Sequence, residues 1–342
     1  MFKLIRRIFW VLLSLLILSV AAVSAWLFSP LTLNAPLVDV AIEPQTSVRE
    51  MAVVVMDSGV DINPDVLFTF FKFSGQSRKL RAGSYELARG NTPLDLLRKL
   101  TRGEESLKAV TLIDGWTFKQ FRAALNKADG LKHDAQGLSN ESLMTLLGLP
   151  GVAPEGRFFP DTYTYGKGTS ELHLMQRAAN AMNRHLAQAW EVRDPNIELK
   201  TPQEALVLAS VIEKETGRES DRAMISSVFH NRLRIDMPLQ TDPTVIYGMG
   251  DAFDGNLHRA DLHTDSPWNT YTRKGLPPTP IAMPGRNALR ATMHPDSSKA
   301  LYFVARGDGS SVFSETLEAH NAAVNRYQRG GVSQPSNGAQ AK

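Results

Sequence analysis

The longest uninterrupted apolar stretch lies at the start of the chain. Ile8 to Phe28 is a run of 21 residues without a charge, and the next charge after Arg7 is Asp39. A helix of that length spans about 30 Å, the thickness of a bilayer core. Trp10 and Trp26 stand near its two ends, where interfacial aromatics sit. After a Pro-containing linker over 29–39, the pattern shortens into alternating strands and helices. Val38–Ile42 and Ala82–Ala88 read as strands. Helices are predicted from Thr46 or Ser47 to Ser58, over 64–74, and from Thr92-Pro93 to Leu100, with Gly59 and Gly103 as stops. Ala109–Ile113 reads as a strand, and 117–127 and 140–148 as helices.

The second half is mainly helical. A long helix is predicted over Ser170–Trp190. Thr201-Pro202-Gln203-Glu204 reads as a capping box with Pro at the first helical position, opening a helix to about Thr216 with an apolar stripe of Ala205, Leu208, Ala209 and Ile212. A further helix from Glu219 or Ser220 to Ile235 carries Ile225, Val228, Phe229 and Leu233 on one face. Asp242 with Pro243 reads as the cap of a short helix. Gly275, Pro277, Pro278, Pro280, Pro284 and Gly285 give a rigid loop wall of the kind that edges a cleft. The Gly/Ser/Gln-rich tail, 329–342, reads as disordered. The fold class expected is α+β: an apolar anchor, a small mixed subdomain over 40–105, and a mixed, mainly helical domain over 106–328.

Charge changes the picture of the N-terminus. Lys3, Arg6 and Arg7 precede the apolar run, and no Lys or Arg follows until Arg49. The positive-inside bias leaves residues 1–7 as a cytoplasmic stub, 8–28 as a spanning helix, and everything after Phe28 outside the cytoplasm. The competing reading is a signal peptide cut after Val23-Ser24-Ala25; the run exceeds the usual apolar core of about 7–15 residues in such peptides. Elsewhere the balance is even, with 38 Lys+Arg against 35 Asp+Glu, too even for a dominant nucleic-acid-binding face. Absence of cysteine removes disulfides, thiol catalysis and CxxC zinc sites. No HExxH, GxSxG, Walker A or GxGxxG motif is present, and neither a metal nor a cofactor is expected.

Candidate chemistry gathers near the end of the 202–216 helix. Glu213 and Glu215 are two residues apart, so they point about 200° away from each other and cannot form a facing carboxylate pair. Glu215 lies next to Val211 and Ile212 one turn earlier, and Glu213 next to Ala209 and Ser210. Apolar neighbours raise a carboxyl pKa, as a general acid requires, but helix geometry does not choose firmly between the two. Gln240, Thr241, Asp242 and Tyr247, with Asn269 and Tyr271 of a later loop, are candidate substrate-contacting groups. The run Glu155–Tyr165, with four aromatics, fits a loop that stacks on sugar rings or one anchored in the core.

Four segments carry a family likeness. LASVIEKETGRESDRAMISSVFHNRLRIDMPLQTDPTVIYGMG (208–250), with NTYTRKGLPPTPIAMPG (269–285), closely resembles the membrane-anchored endolytic murein transglycosylases, the YceG-like family. EGRFFPDTYTY and ALYFVARGDGSSVFSETLEAHN are also similar to that family, so the likeness covers about residues 80–328. Over 40–80 only the layout agrees, and the order of elements in the small subdomain resembles a LysM-like, glycan-binding unit, with a packing subdomain or spacer as the competing reading. The resemblance implies cleavage of the β-1,4 bond between N-acetylmuramic acid and N-acetylglucosamine without water, leaving 1,6-anhydro ends. It places the family's catalytic glutamate, the second Glu of E-K-E-T, on Glu215. It further implies an enzyme of the inner membrane that faces the wall, acts on nascent strands near the peptidoglycan synthases and terminates their elongation. The competing readings are a hydrolytic muramidase with Asp242 as second carboxylate, and a non-catalytic wall-binding scaffold.

Overall fold

The computed structural model describes residues 2–329; Met1 and the expected tail beyond Arg329 lie outside the described residues. In chain order the elements are α1 (Phe2–Leu27), β1 (Thr32–Leu33), β2 (Leu37–Ile42), α2 (Val48–Asp57), β3 (Val60–Asp61), α3 (Pro64–Phe73), β4 (Gly83–Ala88), α4 (Pro93–Arg102), β5 (Leu107–Thr111), α5 (Phe118–Lys127), α6 (Asn140–Leu146), β6 (Thr162–Gly166) and α7 (Glu171–Glu191). There follow α8 (Pro202–Glu215), α9 (Glu219–Arg234), α10 (Asp242–Met249), α11 (Arg259–His263), α12 (Arg286–Met293), β7 (Tyr302–Ala305), β8 (Ser311–Ser314) and α13 (Leu317–Val324). The fold is thus mixed α and β, with strands only in two-stranded pairs: β1–β3, β2–β4, β5–β6 and β7–β8.

Two compact units share the chain. One holds the residues up to Ala109, with Ala128–Asp134 and Thr164–Glu171; the other holds Val110–Lys127, Ala135–Tyr163 and the chain from Leu172 onward. The chain first passes from one unit to the other after Ala109, and two later segments return to the first unit.

In the first unit, α1 contains one segment long and apolar enough to cross a membrane, Arg6–Leu27, with a mean hydropathy of 2.5. Two of its three serines cost little there, because Ser14 and Ser19 donate to the carbonyls of Trp10 and Leu15 one turn back. The remainder is a β-α-α-β arrangement. Antiparallel β2 and β4 pair from Leu37↔Ala88 to Ile42↔Gly83. Alternation in β2 turns Val38, Val40 and Ile42 inward, onto Val55, Leu67, Phe71 and Leu96. Helix starts follow local chemistry: Ser47 and Glu50 form a full capping box, Asn63 caps α3 ahead of Pro64, and Thr92 and Asp95 form a second box ahead of α4.

The second unit is organised around α8. The sequence predicts a single apolar stripe, but every residue from Ala205 to Ile212 is buried. The helix is enclosed on several sides by α9, α10 and α12, and Leu206, Val211 and Ile212 share one core with Phe229, Leu289 and Met293. Ser210 fits this dry setting because its hydroxyl donates to Val207 O and accepts from Ile281 N. The expected capping box is only half formed. Thr201 accepts from Glu204 N, whereas the Glu204 carboxylate accepts from Lys200 N instead of from the cap residue. At α10, Thr241 occupies the cap position and makes no capping bond, and Asp242 is already helical, so the expected Asp242 cap shifts by one residue. The reason is that both side chains are engaged in the site described next.

Candidate active site

Helix α8 delivers two glutamates to its last turn, and their surroundings diverge. Glu213 is structural in its bonding. Its side chain is 7% exposed, one carboxylate oxygen pairs with Arg222 at 3.4 Å, and the other accepts from Gly285 N at 2.8 Å. Burial raises its pKa, while the Gly285 N–H and Arg222 oppose the shift. The approach of Gly285 needs a glycine: a Cβ there would lie 2.5 Å from the Asp114 carboxyl. The carboxylate of Glu213 thereby ties the end of α8 to the start of α12 and to α9.

Glu215 is the last residue of α8, before Thr216 turns extended. The half-buried residue lines an open groove. The Thr241 hydroxyl donates to Oε1. Burial pushes the carboxyl up to about 7, and neighbouring Asp242 adds to that; Thr241 and Arg232 act in the opposite direction. Arg232 makes no ion pair with it. Its guanidinium donates to Leu301 O and Leu239 O, each at 2.7 Å, and more weakly to Pro238 O and Gln240 Oε1. A buried cation committed to carbonyls leaves the acid without full neutralisation, which is the condition for a proton to stay on it near neutral pH.

Four of the residues singled out in the sequence form one constellation: Glu215, Thr241, Asp242 and Tyr271. The Tyr271 hydroxyl donates to Asp242 Oδ1 at 2.5 Å, and burial and Asp242 hold that phenol above its usual range. The segment before α10 is clamped to the 269–271 loop. Gln240 N donates to Thr270 O and Thr241 N to Thr270 Oγ1, and Thr244 and Thr270 hydroxyls meet at 2.8 Å. Gln240 sits at the edge of the group in a left-handed conformation, φ 49°.

Two others take different places. Asn269 is fully buried and donates to the carbonyls of Asp261, Leu262 and Thr264, while its own oxygen accepts from Tyr271 N. All its bonds go to backbone, so it holds the loop that carries Tyr271. Tyr247, five residues beyond Asp242, lies beside Glu155; burial of the ring and the charge of Glu155 hold its phenol above its usual range, and the ring is edge-on to Trp268. Phe158 and Phe159, in the loop before β6, and Tyr163 and Tyr165, on β6 itself, are buried and offer no face for stacking.

Sequence reasoning missed two features. The groove, about 580 Å³, has Glu215 and Thr216–Arg218 on one side and the β7–β8 turn, Asp308–Ser311, on the other. Ser311 N donates to Asp221 Oδ2 at 2.7 Å and Arg218 donates to Asp308 O, fixing that turn against the start of α9. The only local signal was the Gly-rich RGDGSS turn. The second is Glu155, buried, accepting from Phe118 N at 2.9 Å and raised to about 7, chiefly by burial. Among the described residues no three His, Asp or Glu side chains come together as metal ligands would.

Comparison with known proteins follows the same segments. The YceG-like family profile matches residues 40–326. A protein of Bacillus subtilis (strain 168) named endolytic murein transglycosylase is 32% identical over 309 residues, covering 85% of this chain and 84% of that protein. A namesake from Streptococcus pneumoniae (strain D39) is 28% identical over 324 residues, and the match spans 84% of this chain but 58% of the pneumococcal protein. Among solved structures, a YceG-like protein from Listeria monocytogenes superposes with a TM-score of 0.53 at 30% identity, covering 84% of this chain and 98% of that one.

The buried acid Glu155 yields a stability prediction. A carboxyl raised from 4.5 to about 7 binds its proton more tightly in the folded than in the unfolded chain. Stability is therefore highest below pH 4.5 as far as this group is concerned, and falls as pH rises towards 7, by about 3 kcal/mol at about 1.4 kcal/mol per pKa unit. Glu155→Gln removes that slope. Urea unfolding at pH 5 and pH 8 is expected to show the variant gaining on the wild type at the higher pH; parallel losses at both would contradict the assignment.

Proposed function

The chain belongs to the YceG-like family, and from that premise we propose that it is an endolytic murein transglycosylase with Glu215 as its single general acid and base. The observation that carries the reading is the carboxyl of Glu215: set in a groove, desolvated, raised to about 7, and bonded to a hydroxyl where a cation would have ionised it.

The chemistry needs one such group. Protonated Glu215 gives its proton to the oxygen linking N-acetylmuramic acid to N-acetylglucosamine, and the C1–O bond breaks. The 6-hydroxyl of the same muramic residue closes on C1, and the Glu215 carboxylate accepts the hydroxyl proton. The products are a 1,6-anhydro end and a free 4-hydroxyl; no water enters, and the acid is restored. Because the nucleophile is tethered in the substrate, ring closure gains from proximity, and a second protein carboxylate to activate water is unnecessary. Asp242 is the carboxylate best placed to support positive charge developing at C1, with Gln240 and Tyr271 at the edge of the same group. The hydrolytic alternative, with Asp242 as base, is less well supported because Tyr271 already donates to its Oδ1.

The surroundings fit the reading. The Lys3, Arg6 and Arg7 bias before α1 supports a single-pass anchor in the inner membrane with the body exported, where nascent strands and their synthases lie. The β2–α2–α3–β4 order with an antiparallel β2–β4 pair supports the LysM-like reading of the first unit.

Two results test this. Glu215→Gln keeps its shape but can neither give nor take the proton, so cleavage of purified glycan strands is expected to fall by at least about 10²–10⁴-fold with the fold intact by circular dichroism. Glu213→Gln is expected to lower stability, through the Gly285 and Arg222 contacts, while keeping most of the turnover per folded molecule. Reducing muramic ends in the wild-type digest would point to hydrolysis, and the reverse ranking of the two variants would reassign the acid. A second test concerns pH. Activity requires protonated Glu215, so the rate declines as pH rises through about 7. The Thr241 hydroxyl favours the charged form, so Thr241→Val is expected to move that decline to higher pH. A profile that stays put or shifts to lower pH would mean that the hydroxyl does not bear on the acid.

A further inference from the structure

A second concavity, of about 210 Å³, lies between α7 and α12, outside the Glu215 groove. Both helices face it at the same helical spacing. α7 presents His185, Gln188 and Ala189, and α12 presents Arg286, Leu289, Arg290 and Met293. The floor is apolar, with Leu289 and Met293 buried in the core of the second unit. The rim is cationic: Arg286 and Arg290 are exposed, and His294 closes the far end.

The charges on this rim are not balanced by the chain. Arg286 and Arg290 are four residues apart on one helix face, an arrangement that like charges make unfavourable. Arg222, Arg234 and Arg273 of the same unit are each paired with a carboxylate, whereas no ion pair is found for Arg286 or Arg290 among the described residues. Burial depresses the His185 pKa, and Arg286 on the facing helix, with neighbouring Arg184, lowers it further. The carboxylate that opposes them, Asp161, accepts from Thr162 N and forms no ion pair with the rim. A concave site with forked donors above and aliphatic side chains below suits an anion carried on a short apolar body.

We propose that the α7–α12 groove is a carboxylate-binding subsite for the peptide stems of murein. The inference rests on the murein reading above and adds to it a preference for strands that still bear their peptides. Those peptides set free carboxylates between alanine methyl groups, which matches guanidiniums on the rim and Leu289 and Met293 on the floor. A bilayer headgroup surface is flat; it would meet the two arginines but leave the recessed floor unfilled.

The test reads binding, so it stands apart from the chemistry of Glu215. Detergent-solubilised full-length Glu215→Gln protein is titrated with two probes: soluble glycan strands carrying tetrapeptide stems, and the same strands stripped by an amidase. Peptide-bearing strands are expected to bind about tenfold more tightly, in line with one or two charge-assisted hydrogen bonds. Adding Arg286→Gln and Arg290→Gln should reduce that affinity to the level of the stripped strands and leave stripped-strand binding unchanged, whereas Arg286→Lys with Arg290→Lys should recover part of it. Equal affinity for both strands, an equal fall on both, or a preference that survives the double Gln variant would overturn the subsite. Loss of retention on phosphatidylglycerol vesicles with the strand preference intact would assign the rim to the membrane and overturn it too. If wild-type protein binds stems through this groove yet leaves no anhydro ends, the reaction is wrong and the subsite stands.

Discussion

The structure turns on keeping one carboxyl out of water without giving it a cation. An ionised carboxylate in a desolvated position is costly, and the usual remedy is a buried ion pair. Glu213, two residues earlier on α8, takes that remedy: Arg222 and the Gly285 N–H hold it. Glu215 does not. Its nearest contact is the Thr241 hydroxyl, and the adjacent Arg232 is occupied by the carbonyls of the 238–239 and 301 segments. With no cation paired to it, burial raises its pKa to about 7.

That condition demands rigidity from everything around it. α8 is buried throughout its middle, so the end that carries Glu215 cannot shift without disturbing the core shared with α9 and α12. Glu213 pins the same helix end from the other flank. Thr241 is held in turn by Thr270, and Asn269 fixes the loop that brings Tyr271 to Asp242. The polar residues of the 240–271 region thus divide into a few that face the acid and several that hold those few in place. Deleting one of the latter is a packing and hydrogen-bonding lesion first and a catalytic one second.

How much of this was legible in the sequence depended on the range of the interaction. Helix starts were readable because caps are local: Ser47, Asn63, Thr92 and Thr201 each bond within three residues. Burial of α8 on all sides was not, since a stripe of small and branched residues looks the same whether one neighbour or three enclose it. Helix geometry left Glu213 and Glu215 unresolved, because what separates them is Gly285, Arg222 and Thr241, all on other elements. The resemblance to a family favoured Glu215; the chain itself did not. Tyr247 and Asn269 stood beside the right residues in sequence, yet Tyr247 lies against Trp268 and Glu155 and Asn269 bonds to the 261–264 backbone. Glu155 had no local signature and the β7–β8 turn only its Gly-rich RGDGSS run, since their partners lie far along the chain.

The account stands on the protonation state of Glu215, and the most direct measurement is its own titration. With isotope-labelled glutamate δ-carbons, the resonance missing from Glu215→Gln identifies the group in the wild-type spectrum, and its shift with pH gives the midpoint. The account predicts a midpoint near 7, well above the ordinary 4.5. A midpoint at or below 4.5 would mean that the carboxyl is ionised at neutral pH, and that a buried general acid at the end of α8 is not how this protein works.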